Sequence, residues 1–306
     1  MNYILLGFSL ASTLMILFSN ILNFFEKNLP TVFSQTIRYG KFASKEKSKR
    51  FSKFLIEIPK ACFKHFYVVA LNCYAVVFAM VTAVYLLKYE VPWWVVELID
   101  LVGGEERVSF VTPTQTYVVI CLMSLQVIRR FYDTHFVSIF GKHSYINIHQ
   151  YFVGIVYYPA TALAILCEAP KFAHISPYES ENVDISNLTY VERFSILLFL
   201  WAWWHQYKAT EILANLRKNK SGQIITSDHK LPRGDWFEYI SSPLQAAEIV
   251  MYTALTIILR YNITWFFVYA WVIVNQVETM LLSHWWYQET FRDLPKKRKA
   301  VIPFVY

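Results

Sequence analysis

The sequence predicts an all-α integral membrane protein in which about seven transmembrane helices form one bundle. Of its 306 residues, 56% are hydrophobic and 18% are aromatic, which is more than a soluble domain usually carries. Apolar runs long enough to cross a bilayer recur along the chain. The loops between them alternate between basic and acidic composition, as membrane topology requires. We therefore predict a single polytopic membrane domain over residues 1–306.

The predicted spans follow the apolar runs from the N-terminus to the C-terminus. They are residues 3–25, 62–87, 114–127, 145–166, 194–207, 246–259 and 263–282. The first run has no positively charged segment before it and no small-residue cleavage site, so we interpret it as a retained span. The third is predicted to continue as one longer helix through Arg129, Arg130 and Tyr132 to residues 136–140. A tight connection at residues 260–262 joins the last two spans.

The distribution of charge predicts the orientation of the bundle. Nine Lys or Arg residues fall between residues 26 and 60, whereas the segments 88–107 and 168–192 are mainly acidic. Basic segments follow the third and fifth spans and end the chain. Because basic loops face the cytosol, the N-terminus is predicted to be lumenal and the C-terminus cytosolic.

Several classes of function are excluded by what the sequence lacks. No G-x-G-x-x-G, P-loop, His-Glu-x-x-His or Gly-x-Ser-x-Gly motif is present, which argues against a Rossmann or P-loop nucleotide site, a zinc protease and a serine hydrolase. The four cysteines are scattered through apolar runs, and no metal site is expected. The net charge of +7 is explained by membrane topology, so no nucleic-acid partner is expected.

Two N-x-[ST] sequons occur in the chain, and chance occurrence explains both by default. Asn187 lies in a predicted lumenal loop that is accessible to glycosylation. Asn262 is too close to the membrane for the same modification.

The last 23 residues carry the strongest sign of function. His284 and Tyr287 are three residues apart, so they share one face if the last helix continues for another turn. A basic cluster that includes Lys296 and Arg298 follows them. These side chains are suited to an anionic, phosphate-bearing ligand. The alternative interpretation is a positively charged anchor that contacts lipid headgroups.

Two long strings in the C-terminal half resemble the steroid 5α-reductase family. The first is the C-terminal pattern His284-x2-Tyr-x3-Phe-x3-Pro-x2-Arg-Lys-Ala-x2-Pro-Phe304. The second combines His205-Gln-Tyr-Lys208, Asn215-Leu-Arg-Lys-Asn219 and Pro232-x-Gly-Asp-Trp-Phe-Glu-Tyr-x-Ser-Ser-Pro243, and it resembles the polyprenal (polyprenol) reductase branch of that family. The N-terminal half resembles the family less closely. We assign the family motifs to residues 194–306.

The resemblance implies an NADPH-dependent reductase whose cofactor is held by side chains at the cytosolic ends of the helices. Carried over by position, the cofactor-binding residues are Arg217, Lys230, Asp235, Tyr239, Glu248, His284, Tyr287 and Arg298. Some of these positions have a second interpretation. Asp235 is also placed to cap the following helix, and Tyr239 is also suited to an interfacial aromatic belt. Glu248 stands out because an ionisable group in a span is costly without a partner.

The family also implies two catalytic side chains that polarise the substrate carbonyl. Glu57, in Glu-Ile-Pro, resembles the family's Glu-Leu-Pro motif, and Tyr132 is the phenol nearest to the family's tyrosine. The tyrosine position itself holds Phe131, and Leu244 stands where relatives usually carry an asparagine. For Glu57, the alternative is a solvated charge at the end of a basic loop.

The expected activity is therefore saturation of the α-isoprene double bond of polyprenal, or formally polyprenol, in dolichol synthesis. The predicted location is the endoplasmic reticulum membrane, where the product supports protein N-glycosylation. The substrate partner would be an isoprenoid lipid within the surrounding membrane lipids. The alternatives are a Δ4-3-oxosteroid 5α-reductase and a non-enzymatic lipid-binding or scaffold protein.

Overall fold

The computed structural model describes residues 1–25, 56–141, 144–177, 182–219, 221–226 and 228–302. Eight α-helices are present in this part of the chain. They are α1 (Tyr3–Phe25), α2 (Phe63–Tyr85), α3 (Trp93–Gly103), α4 (Pro113–Tyr132), α5 (Ile148–Cys167), α6 (Tyr190–Asn215), α7 (Pro243–Ile258) and α8 (Ile263–Thr290). The predicted basic loop lies mostly outside the described residues, as do the last four residues.

The predicted all-α membrane fold is confirmed in its coarse form. Four helical segments are long and apolar enough to cross a membrane: Tyr3–Ile21, Lys60–Tyr85, Ile148–Cys167 and Ile263–Thr290. Helix α7 is apolar but shorter. The count of seven spans and the orientation of the termini stay predictions.

Helix ends follow local sequence signals. Thr112 and Gln115 form a capping box at the start of α4, and Thr189 and Glu192 form another at the start of α6. The predicted extension of the third span is present as far as Val137, because α4 reaches Tyr132 and a single π-helical turn, Asp133–Val137, continues it. Residues 138–140, which the prediction included, are not helical.

Two elements were absent from the sequence-based prediction. Helix α3 lies within the predicted acidic loop and buries only one face. A two-stranded antiparallel sheet pairs β1 (Glu57–Pro59) with β2 (Tyr145–Asn147), so the loops are not wholly irregular. Strands of three residues are too short to produce a recognisable alternation of apolar and polar residues.

The core is built from pairwise packing of the long helices. Helix α6 packs against α7, α2 packs against α4 and α5, and α8 packs against α1 and α7. At the contact between α2 and α5, a Cβ atom on Gly154 would lie 2.4 Å from the Phe66 ring. A glycine is therefore needed at this position for the two helices to approach closely.

One end of the bundle, here called the Arg107 end, is closed by hydrogen bonds to buried charges. Arg107 donates to the carbonyl oxygens of Gly104 at 2.8 Å and Phe172 at 2.5 Å. It also forms an ion pair with Asp100, whose carboxylate lies 2.8 Å from His174 Nε2. This network fastens the loop after α3 to the loop after α5.

Two glutamates complete the Arg107 end. The carboxylate of Glu168 accepts backbone N–H groups in the first turn of α8 at 2.8 and 2.7 Å. The carboxylate of Glu192 accepts from Gln115 at 2.6 Å and from Arg260 at 2.9 Å. These bonds join the starts of α4, α6 and α8.

The two sequons lie near this end and differ in exposure. Asn187 is exposed in a short 3₁₀ turn before α6. Asn262 is buried and caps α8, with its side-chain oxygen accepting from Trp265 N at 2.7 Å. The Asn262 side chain is therefore already used within the fold.

Candidate functional site

The C-terminal tail folds back beside the segment that precedes α7. The backbone N–H of Lys299 donates to Tyr239 O at 2.8 Å, and the N–H of Ser241 donates to Lys299 O at 3.0 Å. His284 and Tyr287 lie in the last two turns of α8, and His284 Nδ1 is 2.8 Å from Ser241 Oγ. The structure therefore brings His284, Tyr239 and the tail together, at the end of the bundle opposite Arg107.

A cleft of about 270 Å³ lies between the end of α8 and the tail, and we call it the C-terminal cleft. It is lined by His284, Gln288, Phe291, Arg292, Leu294, Pro295, Lys296 and Arg298. Three of these residues are basic and none is acidic. The lining therefore favours an anion.

Arg298 is the most unusual side chain of this cleft. It is only 2% exposed, and its Nη2 donates to Pro232 O at 2.9 Å. Its Nε and Nη1 are buried and have no hydrogen-bond partner among the described residues. Burial lowers the pKa of the guanidinium from its ordinary value. Because a buried donor without an acceptor costs about 1–3 kcal/mol, these nitrogens fit an anionic ligand such as a phosphate.

The turn before α7 directs Asp235 toward α6. Gly234 and Asp235 both have positive φ angles, of 92° and 48°. The Asp235 carboxylate oxygens lie 2.8 and 3.0 Å from Nδ1 of His205, whose ring stacks on Trp236. Gly234, and not Asp235, occupies the cap position of the short 3₁₀ helix that follows, and no side-chain cap bond forms. The capping interpretation of Asp235 is therefore wrong, and its contact with a cofactor stays a prediction.

The other predicted cofactor residues lie in different surroundings. Arg217 follows α6 and donates to Ile139 O, which fastens the segment after α4. Lys230 is exposed. Tyr239 is 43% exposed, with Lys297 Nζ 5.6 Å from the centre of its ring. The cofactor-binding roles of these residues stay predictions.

The two predicted catalytic residues lie on different elements. Glu57 is exposed on β1, opposite Asn147 of β2. Tyr132 is the last residue of α4, is 49% exposed, and packs its ring against Phe136 at 5.5 Å. Their catalytic roles stay predictions.

A second polar group lies inside the bundle, between α2, α4, α6 and α7. We call it the buried polar cluster, and it consists of Tyr67, Gln126, Arg129, Arg130, Asp133, Gln206 and Glu248. Gln206 Nε2 donates to Glu248 at 3.2 Å and to Leu244 O at 3.0 Å. The side-chain oxygen of Gln206 accepts from Arg129, so the cluster connects α4 through α6 to α7.

The charges in this cluster are incompletely hydrogen-bonded. Asp133 is fully buried, and its Oδ2 lies 3.5 Å from Arg129 Nη1 and 3.6 Å from Arg130 Nη1. Neither Asp133 oxygen, and neither Nε nor Nη1 of Arg129, has a hydrogen-bond partner among the described residues. Such groups are costly in an apolar interior unless a polar ligand completes them.

Apart from Glu248, none of the residues in this cluster was assigned to the site by the sequence-based prediction. The spacing of the polar residues in α4 could nevertheless have indicated them from the sequence. Positions 126, 129, 130 and 133 follow the i, i+3, i+4, i+7 spacing, which places four polar residues on one face of α4 and its π-helical continuation.

Comparison with known proteins identifies relatives along most of the chain. The model of the family described as 3-oxo-5-alpha-steroid 4-dehydrogenase matches residues 146–306. The chain is 36% identical to the polyprenal reductase of Drosophila melanogaster over 293 residues, which cover 95% of this chain and 89% of the relative. It is 32% identical to that of Homo sapiens over 276 residues, with 90% and 86% covered, and 33% identical to that of Danio rerio over 294 residues, with 93% and 92% covered.

Proposed function

The chain belongs to the 3-oxo-5-alpha-steroid 4-dehydrogenase family, that is, the steroid 5α-reductase family, and on this premise we propose that it is an NADPH-dependent polyprenal reductase. The reaction saturates the α-isoprene double bond of a polyprenal in the synthesis of dolichol. The enzyme acts in the endoplasmic reticulum membrane, where dolichol supports protein N-glycosylation. Support for this substrate comes from the relatives, which are polyprenal reductases and align along nearly the whole chain.

The observation that carries the cofactor proposal is the Arg298 side chain. Two nitrogens of its buried guanidinium have no hydrogen-bond partner among the described residues, and they lie in a cleft that Lys296 and Arg292 make basic. Phosphate oxygens match such donors in charge and geometry. A phosphate-bearing end of the cofactor would therefore be held by Arg298, with His284 beside it.

Six further residues are proposed to hold the cofactor, and they range from the exposed Lys230 to Glu248 inside the bundle. They are Arg217, Lys230, Asp235, Tyr239, Glu248 and Tyr287. When bound, the reduced nicotinamide supplies a hydride. The protein's own contribution is to hold the conjugated aldehyde where its carbonyl oxygen meets hydrogen-bond donors, which is the role proposed for Glu57 together with a phenol.

The proposal is tested with purified protein in detergent or lipid discs. Polyprenal should be converted to the saturated aldehyde with oxidation of NADPH. A Δ4-3-ketosteroid in the same assay tests the alternative steroid activity. If the protein reduces the steroid preferentially, the substrate is the steroid and not polyprenal. Absence of NADPH oxidation with either compound would favour a non-enzymatic lipid-binding protein.

Arg298→Ala tests the cofactor site by itself. Losing charge-assisted hydrogen bonds worth about 1.5–3 kcal/mol should weaken NADPH binding about 10- to 100-fold. The matched control is Arg233→Ala, because Arg233 is an exposed arginine of the same region, paired with Asp293 at 3.3 Å. Binding is measured by energy transfer from tryptophan to NADPH. Equal affinity in both variants would remove Arg298 from the cofactor site.

A further inference from the structure

The hydroxyl group of Tyr67 accepts two hydrogen bonds from one guanidinium. Tyr67 lies in the second turn of α2 and is only 8% exposed. Nε and Nη2 of Arg130 both donate to its oxygen, at 3.2 and 2.9 Å, and the guanidinium lies 5.0 Å from the ring centre. Because both bonds use the oxygen as acceptor, the hydrogen of the phenol remains to be donated. No acceptor for this hydrogen lies among the described residues.

Three other tyrosines of the interior use their hydroxyl hydrogens within the fold. The Tyr74 hydroxyl shares a hydrogen bond of 3.0 Å with Thr161, Tyr85 donates to a carbonyl oxygen at 2.9 Å, and Tyr157 donates to Tyr252 at 2.9 Å. These contacts are sufficiently explained by packing. Tyr67 differs from these three because a guanidinium donates twice to its oxygen, which leaves the phenol hydrogen for a molecule from outside the chain.

A positive charge lies directly beside the Tyr67 hydroxyl. The Arg130 cation would stabilise the negative charge that develops on the phenol oxygen during proton transfer. Asp133 lies 3.6 Å from Arg130 and 3.5 Å from Arg129, and it holds the two guanidinium groups in place. Through Arg129 and Gln206 the same cluster reaches Glu248, one of the residues proposed to hold the cofactor.

We propose that Tyr67, held by Arg130, is a catalytic residue that donates its proton to the carbonyl oxygen of the conjugated aldehyde. This assignment rests on the proposed function. It gives the role of proton donor to Tyr67, whereas the sequence analysis had predicted Tyr132 for the catalytic phenol. A cationic guanidinium behind a phenol gives this residue the features of an oxyanion-stabilising donor in a dry interior.

In the proposed step, a hydride and a proton reach the substrate at different atoms. A hydride, supplied by the reduced nicotinamide, forms a C–H bond at the β-carbon of the substrate. The C=C electron pair moves to the bond between the α-carbon and the carbonyl carbon, and the C=O pair moves to oxygen, which takes the proton of Tyr67. The resulting phenolate is stabilised by Arg130. When the α-carbon takes a proton from solvent water, the enol returns its own proton to Tyr67, which leaves the saturated aldehyde.

Tyr67→Phe tests this role, with Tyr74→Phe as the matched control on the same helix. Loss of one donor to the developing oxyanion should lower kcat of Tyr67→Phe about 10²- to 10³-fold. NADPH affinity, measured by energy transfer from tryptophan, should stay at the wild-type value, and the melting temperature shows whether the variant is folded. Tyr74→Phe should retain kcat within a few-fold. A Tyr67→Phe variant that turns over like Tyr74→Phe would overturn the proposal.

A more acidic phenol gives a second readout. Replacement of Tyr67 by 3-fluorotyrosine should move the alkaline limb of the kcat–pH profile to lower pH, because the group must be protonated to donate. An unmoved limb would contradict a proton-donating role, and so would a larger loss of kcat in Tyr132→Phe than in Tyr67→Phe.

Failure of this proposal can be distinguished from failure of the proposed function. If the wild-type protein oxidises no NADPH with polyprenal, the proposed function fails as well. If both the wild-type protein and Tyr67→Phe turn over polyprenal normally, the proposed function stands and only the catalytic role of Tyr67 is excluded.

Discussion

Both ends of the bundle bury charged side chains, but the hydrogen bonding of these side chains differs between the two ends. At the Arg107 end, Arg107, Glu168 and Glu192 are each held by several short hydrogen bonds from the protein itself. At the opposite end, Arg298 and Arg129 keep buried N–H groups without a partner among the described residues. Complete hydrogen bonding indicates a structural role, whereas incomplete hydrogen bonding indicates a ligand.

The largest effect on stability is therefore expected at the Arg107 end. Arg107→Met should lower the free energy of unfolding by about 3–5 kcal/mol, because it leaves the Asp100 carboxylate and buried carbonyl oxygens without their donor. Thermal unfolding in detergent measures the change. The control is Arg193→Met, since Arg193 is exposed and bonds only to Ser186 O among the described residues, and it should change stability by about 0.5 kcal/mol or less. Equal melting temperatures of the two variants would contradict the structural role assigned to Arg107.

At the opposite end, substitution should reduce activity with little change in stability. His284→Gly removes the imidazole that contacts Ser241 and lines the C-terminal cleft, and it should abolish turnover while expression and topology stay intact. Initial rates of NADPH oxidation with polyprenal measure the effect. His149→Ala, an exposed histidine at the start of α5, is the control. Wild-type rates in His284→Gly would exclude His284 from the site.

The sequence predicted the helices better than it predicted the contacts between them. Hydropathy located α1, α2, α5 and α7 within about three residues at each end, because long apolar runs determine membrane helices locally. Helix α8 begins at the predicted Ile263 but continues past the predicted end, residue 282, to Thr290. Helix α3 was missed because its 11 residues form a short amphipathic helix inside an acidic loop. The pairing of Asp235 with His205 depends on two positive φ angles in a turn, which residue type alone does not predict.

The site was predicted only in part, because its residues come together through contacts between distant segments. His284, Arg298 and Tyr239 come together because the tail folds back, and the family resemblance identified them by position. Tyr67 lies on α2, 63 residues before its partner Arg130, so nothing in the local sequence indicates that the two side chains meet. The pairing of Asp133 with Arg130 is local, three residues along the chain. Spacing could have indicated one polar face on α4, but only the fold shows which residue of α2 meets it.

The central claim is that NADPH binds at the end of the bundle where buried donors lack partners. Hydrogen–deuterium exchange of the purified protein, with and without NADPH, tests it most directly. NADPH should slow amide exchange in residues 234–242 and 284–300 and leave residues 104–111 and 168–175 unchanged. Protection confined to the Arg107 end, or no protection at all at saturating NADPH, would contradict the account.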